Sequence, residues 1–294
     1  MSRIEISGIG IAYELLGKAG APAVALTPGG RLSKDTPGLR ELAEKLVAGG
    51  KRVLLWDRPN CGASDICFDG ENESALHGRI LTQLIRALDL GPTAIGGGSA
   101  GSRTTLLAAV HDPEIVSHLL QWWISGGAIS LLLLGATYFG EAAITASMGG
   151  MAAVADLPMW AEQIKRNPRN RDIILKQDPD RFMATMERWA VAFIPSDTSP
   201  VPGMSPADFA RLTMPVLIYR GSPRDLYHPV RISDWVHKLI PHAKLIDLPW
   251  TDDATVERVA AAVKAGTASY LHWPAFGFVD WPRLAPTILE FTGR

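Results

Sequence analysis

The chain has 294 residues, of which 47% are hydrophobic and 20% charged, and its formal net charge is −1. This composition is typical of a globular protein with a large hydrophobic core, and the length permits one or two domains. The charge balance shows neither the basic footprint that nucleic-acid binding requires nor a polybasic run that favours a membrane surface. We therefore expect neither nucleic acid nor a membrane as a partner.

The sequence also carries expectations about compartment and metal content. Residues 1–6 alternate polar and apolar side chains and lack the apolar segment of a signal peptide. The two cysteines, Cys61 and Cys67, fit a reducing cytoplasm better than a disulfide scaffold. No Cys/His spacing resembles a zinc site, so we expect no metal and no cofactor. Residues 129–139 are strongly apolar but too short to span a membrane.

The first half of the chain alternates strand-like and helix-like segments. Short apolar runs predict strands buried on both faces, and apolar residues at helical spacing predict helices between them. After a predicted hairpin over 3–16, the predicted elements alternate along the chain. They are a strand at 23–27, a helix at 39–48, a strand at 51–56, a helix at 74–88, a strand at 93–95, a helix at 104–110 and a strand at 116–124. This alternation predicts a parallel sheet with helices on both faces.

The alternation stops after the strand at 116–124 and resumes near residue 214. Between them, the pattern predicts helices at 129–139, 141–154, 159–166, 171–177 and 181–193, then a Pro/Ser-rich linker at 195–206. The later elements are strands at 214–219 and 244–248 and helices at 231–239, 254–265 and 282–291. We predict one α/β core domain, residues 1–127 and 205–294, interrupted by a helical insertion, residues 128–204.

A glycine-rich segment between a strand and a helix is the first candidate site. Gly97-Gly98-Ser99-Ala100-Gly101 fits the pattern G-x-S-x-G. In this context the pattern predicts a nucleophile elbow, a tight turn that holds a serine hydroxyl at the carboxyl edge of a sheet. Side chains two residues before or after the serine would collide with the turn, which explains the outer glycines. The alternative is a glycine-rich loop whose serine caps a helix.

A second motif supports the elbow. The segment Asp57-Arg58-Pro59-Asn60-Cys61-Gly62-Ala63-Ser64 is similar to the turn D-x-x-G-x-G-x-S, with Asn60 at the first glycine position. With both motifs in this order, the chain resembles the α/β-hydrolase superfamily, in its capped branch with a serine nucleophile. The resemblance implies a mostly parallel central sheet with flanking helices and a helical cap inserted after the sixth strand.

The resemblance also implies a Ser-Asp-His triad with Ser99 as nucleophile. The family's acid follows the strand before the last one, which here indicates Asp225. The base must follow the acid, and the resemblance favours His272, although residues 251–271 separate it from its strand. His228 is close to the acid in sequence and suits a loop or supporting role. His237 lies in a predicted helix, and His242 precedes the last strand, at the wrong end for the site.

Two backbone N–H groups should stabilise an oxyanion beside the serine. Ala100 supplies one of them, and the other should come from the loop after the strand at 23–27. The family commonly has His-Gly there, whereas this chain has Pro28 followed by two glycines. Because proline has no N–H, Gly30 is the expected donor, with Gly29 or Arg31 as alternatives.

Five residues are candidates for binding substrate. Gly29 permits close approach of a ligand, and Tyr138 and Trp160 belong to an apolar group in the insertion that predicts a largely apolar pocket. Arg31 and Arg103 flank the predicted site, and either could bind a carboxylate. Arginine more often lies on a solvated surface or in an ion pair, and we favour that interpretation for both.

These residues predict a serine hydrolase that cleaves an ester, lactone or related acyl bond of a small, largely apolar molecule. Two other chemistries share the fold: hydrolysis of a C–C bond, and cofactor-free lyase or oxygenase reactions. A non-catalytic small-molecule receptor is a third hypothesis. The expected partner is a small-molecule substrate, and a homo-oligomer is possible.

Overall fold

The computed structural model describes residues 2–268 and 270–293, with the side chains of residues 270–275 excepted. Eight strands form one sheet in the order β1-β2-β4-β3-β5-β6-β7-β8. The strands are β1 (Ser2–Ile6), β2 (Ile9–Leu16), β3 (Ala23–Thr27), β4 (Arg52–Trp56), β5 (Thr93–Gly98), β6 (Val116–Trp122), β7 (Val216–Tyr219) and β8 (Lys244–Ile246). Strand β2 pairs antiparallel with β1 and β4, and all other pairs are parallel. The predicted mostly parallel sheet is confirmed.

Helices cover both faces of this sheet. They are α1 (Leu39–Ala48), α2 (Glu73–Ala87), α3 (Ala100–His111), α9 (Pro206–Ala210), α10 (Val230–Leu239), α11 (Asp253–Lys264) and α12 (Ala285–Phe291). Buried side chains of α2, α3 and α10 form one hydrophobic cluster, and those of α1 and α12 form another. Every residue of β3 and β5 is buried, as expected for central parallel strands that are covered on both faces.

The helical insertion lies between β6 and β7, after the sixth strand as predicted. It contains α4 (Ala128–Gly135), a π-helical turn (Ala136–Gly140), α5 (Glu141–Asp156), α6 (Pro158–Arg166), α7 (Arg169–Leu175) and α8 (Pro179–Val191). These helices have their own hydrophobic cluster, in which Phe139, Trp160 and Trp189 pack around Phe68 of the sheet domain's loops. The division into a core domain and a cap domain stays an interpretation of this arrangement.

The helical run in the insertion is longer than the sequence pattern indicates. The run from Ala128 to Arg166 is long and apolar enough, by length and composition alone, to cross a membrane. Of its most apolar 18-residue window, 28% is buried inside the protein. Two breaks divide it, because Gly150 has φ 69° and ψ −173° and Leu157 has ψ 137°. Several apolar side chains on it are exposed, with Met148 the most exposed at 85%. The absence of a membrane partner stays a prediction.

The C-terminal helix starts later than predicted. The sequence pattern indicates a helix over 282–291, whereas 3₁₀ turns occupy Tyr270–Leu284 and the α-helix α12 begins at Ala285. Pro282 lacks the N–H that an α-helix interior would use, whereas Pro286 stands in the first turn of α12, where a missing N–H costs nothing. The backbone around His272 therefore belongs to a tightly wound segment rather than to an open loop.

The two outer glycines of the elbow bring β5, α3 and β3 into close contact. A methyl group on Gly101 would lie 2.2 Å from the carbonyl oxygen of Thr27, which ends β3. A methyl group on Gly97 would lie 2.5 Å from the carbonyl carbon of Gly101. Both distances are below any van der Waals contact, and both obstacles are backbone atoms that cannot move away alone.

We predict that Gly101→Ala lowers the free energy of unfolding by about 3 kcal/mol or more, because the added methyl group forces α3 away from the sheet. Urea unfolding followed by circular dichroism measures this change. Gly140→Ala is the matched control, since nothing lies within 4 Å of the added methyl group and Gly140 has helical φ and ψ. The control should be neutral or stabilising by up to about 1 kcal/mol. Equal effects of the two substitutions would contradict the close-packing argument.

Candidate active site

The candidate site lies where the carboxyl ends of β5, β6 and β7 meet. These three strands are neighbours and parallel, so the segments that follow them lie at the same edge of the sheet. Ser99 follows β5, Trp123 follows β6, and the loop that contains Asp225 follows β7. The loops after β6 and β7 are joined by hydrogen bonds from the Gly126 N–H and the Ser130 hydroxyl to the carbonyl oxygen of Tyr227, at 3.3 and 3.1 Å.

Ser99 has the backbone conformation of a strained turn. Its φ is 58° and its ψ −120°, in a region that residues other than glycine rarely adopt. It directly precedes α3, its N–H donates a hydrogen bond to the carbonyl oxygen of Trp123 at 2.9 Å, and its side chain makes no cap hydrogen bond. The alternative reading, a serine that merely caps the helix, therefore lacks the contact that defines a cap.

The loop with the expected oxyanion donor lies beside this serine. A methyl group built on Gly29 would be 3.1 Å from the Cβ of Ser99, so the loop backbone passes directly over the serine. Gly30 has φ 49°. Ala100 opens α3, and the first N–H groups of a helix have no partner within the helix. Backbone donors at these two positions could face the same point above the serine hydroxyl.

Arg58 supports this loop, and the sequence interpretation did not identify it as a site residue. Its guanidinium donates hydrogen bonds to the carbonyl oxygens of Gly29 at 3.2 Å and Gly30 at 2.6 Å. Arg58 is 1% exposed, so few water molecules compete for these bonds. The sequence could have indicated this role, because Arg58 lies in the D-x-x-G-x-G-x-S turn. That turn follows β4, which is the neighbour of β3, and the Gly29–Gly30 loop follows β3.

The turn that carries Arg58 tolerates Asn60 for a conformational reason. Asn60 has φ 65°, the left-handed region that favours glycine and that asparagine adopts more readily than most residues. Its side-chain amide donates to the carboxylate of Glu73 at 2.9 Å and to the carbonyl oxygen of Cys67 at 3.0 Å. Asp57 holds the turn by accepting the N–H of Ala63 at 2.9 Å.

Asp225, the predicted acid, is buried and oriented by its own loop. It is 1% exposed, and its Oδ1 accepts the N–H of Tyr227 at 2.8 Å. Its Oδ2 lies 2.6 Å from Nδ1 of His228. A carboxylate held in this way is suited to orient an imidazole ring.

His228 is therefore a direct partner of the predicted acid. It is 1% exposed, and its ring stacks on Trp123 with centroids 5.3 Å apart and an interplanar angle of 11°. Its Nε2 is buried and has no hydrogen-bond partner among the described residues. The side chain of His272, the predicted base, lies outside the described residues. Both histidines remain candidates for the base, and His272 stays the prediction.

Arg31 is in an ion pair, as the favoured sequence interpretation expected. Its guanidinium lies 3.0 Å from the carboxylate of Glu73, with side-chain exposures of 6% and 7%. The same guanidinium lies over the rings of Trp160 at 4.7 Å and Tyr138 at 5.3 Å. Trp160 is fully buried beneath it. Arg31 thus contacts both of the other candidate substrate-binding side chains, Tyr138 and Trp160.

Arg103 is neither on the surface nor in an ion pair among the described residues, which corrects our expectation for it. It is 2% exposed, because α3 begins under the insertion and carries this side chain toward it. Its guanidinium hydrogen-bonds the hydroxyl of Ser125 and lies 5.0 Å from the ring centroid of Phe193. Burial lowers the pKa of Arg103 below its usual value.

We predict that Glu73→Ala lowers the free energy of unfolding by about 3–5 kcal/mol, because it leaves the buried guanidinium of Arg31 without its counter-ion. Urea unfolding measures the change. The matched control is Asp112→Ala, which breaks the surface pair of Asp112 with Arg86, whose side chain is 53% exposed. A surface pair contributes about 0–1 kcal/mol. If Glu73→Ala lowers the free energy of unfolding by no more than Asp112→Ala does, burial does not make the Arg31–Glu73 pair more important for stability than a surface pair.

Comparisons with solved structures identify the fold. A hydrolase from Pseudomonas aeruginosa PA01 is similar to this chain with a TM-score of 0.62 and 19% identity, covering 100% of this chain and 98% of that one. The enol-lactonase from Burkholderia xenovorans LB400 is similar with a TM-score of 0.55 and 20% identity, over 90% and 98% of the two chains. The chain has the α/β-hydrolase fold. The resemblance seen in the elbow and its preceding turn is therefore confirmed for the fold.

Sequence comparison finds a shorter likeness. The 2-hydroxy-6-oxononadienedioate/2-hydroxy-6-oxononatrienedioate hydrolase of Cupriavidus pinatubonensis is 36% identical over 88 residues, which are 30% of this chain and 30% of that relative. The match therefore spans under a third of the curated relative's length. No family model matches the chain. By name, these similar proteins are two hydrolases and an enol-lactonase.

Proposed function

We propose that the protein is a serine hydrolase that cleaves an ester, lactone or related acyl bond of a small molecule. The observation that carries this proposal is the backbone of Ser99, with φ 58° and ψ −120° at the start of a buried helix. A strained serine at a strand-to-helix turn is the geometry of a nucleophile elbow. A serine with only a structural role has no need of this conformation, whose strain costs on the order of 1–3 kcal/mol.

In the proposed reaction, the hydroxyl of Ser99 attacks the acyl carbon while His272 accepts its proton. Asp225 orients the imidazole and stabilises its protonated form. The N–H groups of Gly30 and Ala100 donate hydrogen bonds to the oxyanion. His272 then returns the proton to the leaving group. In the second half of the reaction, a water molecule attacks the acyl carbon and gives its proton to His272, which passes it to the oxygen of Ser99 as the acid is released.

Hydrolysis of a C–C bond is the second candidate function. It is favoured by the likeness over 88 residues to a hydrolase whose name describes a dienedioate substrate. A panel that contains a simple ester, a lactone and a 2-hydroxy-6-oxo-dienoate distinguishes the two by their products. Turnover of the dienoate without turnover of the ester or lactone would favour C–C hydrolysis. We further propose a small molecule as the partner, a cytoplasmic location and, as a possibility, a homo-oligomer.

We predict that Ser99→Ala abolishes turnover, with a loss on the order of 10⁴-fold or more in kcat, because it removes the nucleophile and keeps both elbow glycines. The assay combines the ester panel with covalent labelling by a fluorophosphonate probe, located by mass spectrometry. Ser147→Ala is the control, since Ser147 is exposed on α5. Retained labelling or near-wild-type turnover in Ser99→Ala would rule out acyl-serine chemistry and favour a receptor or a different base-catalysed reaction.

We predict that His272→Ala lowers kcat by about 10³-fold or more, whereas His228→Gln lowers it by about 10-fold or less. The reason for the difference is that His228 shares the carboxylate of Asp225 without serving as the base. Turnover of the preferred ester and the rate of fluorophosphonate labelling are measured for both variants. The reverse order of effects would assign the base to His228, and two small effects would count against a histidine base altogether.

A further inference from the structure

Arg103 is a buried cation that has no ion-pair partner among the described residues. Its Nη1 contacts the hydroxyl of Ser125, its Nε is buried without a hydrogen-bond partner, and Phe193 lies against its guanidinium. No carboxylate of the described residues lies within 4.0 Å of it. An isolated buried charge is costly, and proteins normally pair such a charge or use it to bind an ion. Two neutral hydroxyls, of Ser125 and Tyr138, and one ring are weak compensation for a guanidinium that is 2% exposed.

The surroundings of Arg103 are positive as well. The side chains of Arg31, Arg58 and Arg103 are all buried. Burial is the main reason why the pKa of His77 is lowered, and the positive charges of the three arginines lower it further. Glu73 is the carboxylate that acts on Arg103, and it is already paired with Arg31.

Two further charged groups, Lys34 and Asp57, do not supply Arg103 with a negative partner. Lys34 pairs with Asp35 at 2.6 Å, and the carboxylate of Asp57 accepts two backbone N–H groups. Among the described residues, Arg31 is the member of the three that is in an ion pair, with Glu73. Arg58 donates to two backbone carbonyl oxygens instead, whereas Arg103 has neither a carboxylate nor a carbonyl partner among the described residues.

This positive charge lies close to the candidate reaction centre. Arg103 lies in the first turn of α3, four residues after Ser99, and its backbone nitrogen lies 3.4 Å from the Ser99 carbonyl oxygen. Tyr138 connects the two regions, because it acts electrostatically on Arg103 and its hydroxyl lies 3.9 Å from a methyl group built on Gly30. Tyr138 therefore links the loop beside Ser99 to the guanidinium of Arg103.

We propose that Arg103 binds a carboxylate of the substrate, so that the preferred substrates are short anionic acyl compounds. This inference rests on the proposed function, in which Ser99 holds the acyl group, and adds the charge of the substrate to it. The guanidinium supplies donor groups that match a carboxylate, and the apolar insertion around it excludes competing water. The remainder of the substrate contacts the apolar walls, which fits an acid of few carbon atoms.

The first test compares the monomethyl and dimethyl esters of succinate, glutarate and adipate, with ester cleavage followed by methanol release. In each pair the second carboxyl group is either a charged carboxylate or a neutral methyl ester, and rates are compared per ester bond. We expect the wild-type protein to favour the monomethyl ester of at least one pair by about 10-fold or more in kcat/KM. A consistent preference for the dimethyl esters, or equal rates throughout, would overturn the proposal.

Substitutions then assign the preference to Arg103. Arg103→Met keeps the apolar contact with Phe193 and should lower kcat/KM by about 10- to 100-fold for the monomethyl ester, with less than about 3-fold change for the dimethyl ester. Arg103→Lys keeps the charge and should retain part of the preference. Arg86→Met, on the exposed surface of α2, controls for the loss of one positive charge. Equal losses on both esters in Arg103→Met and Arg103→Lys would indicate a structural role and overturn the proposal.

A binding measurement separates this inference from the proposed catalysis. In the Ser99→Ala background, glutarate should raise the melting temperature at constant ionic strength, and Arg103→Met should remove this shift while Arg86→Met keeps it. If glutarate binds in this way but no ester is cleaved and no probe labels Ser99, the anion site stands and the hydrolase proposal fails. If Ser99 is labelled and esters are cleaved but glutarate has no Arg103-dependent effect, the hydrolase stands and the anion site fails.

Discussion

The close approach of α3 to the sheet is the constraint on which the candidate site depends. A methyl group on Gly101 would overlap the carbonyl oxygen of Thr27, and one on Gly97 would overlap Gly101 itself. With both positions free of side chains, the chain turns from β5 into α3 within one residue. That residue is Ser99, and the strain of its backbone is maintained by the packing of α3, which is buried from Ala100 to Val110, against β3, β5 and β6.

A second layer of the site consists of buried charges that hold backbone segments in place. Arg58 donates to the two carbonyl oxygens of the Gly29–Gly30 loop, which fixes the backbone of that loop beside Ser99. Arg31 and Glu73 form a buried pair beneath Tyr138 of the insertion. The insertion therefore contacts the loop that the oxyanion would use, so a change in the insertion can reach the reaction centre through Arg31.

The acid side of the site shows how a local sequence argument can be incomplete. The distance of three residues between Asp225 and His228 suggested a supporting role for the histidine, and the structure makes it a direct hydrogen-bond partner of the acid. Stacking on Trp123 then places the ring beside the residue whose carbonyl oxygen accepts the N–H of Ser99. Chain order permits both histidines and the family resemblance favours His272, so the comparison of the two histidine variants decides between them.

Short-range patterns in the sequence were sufficient for the fold and for the elbow. Apolar runs and helical spacing predict the strand and helix order, because burial on a sheet face imposes a period on the chain, and the two glycines at fixed spacing predict the turn at Ser99. The boundary of α12 was missed, since apolar residues three positions apart are compatible with both 3₁₀ and α turns. The tertiary structure alone decided that Arg58 supports the Gly29–Gly30 loop and that Arg31 pairs with Glu73. It also decided that Arg103 is buried without an acid among the described residues. These contacts join segments distant in sequence, and a charged side chain carries no local pattern that tells whether its partner is water, a carboxylate or a ligand.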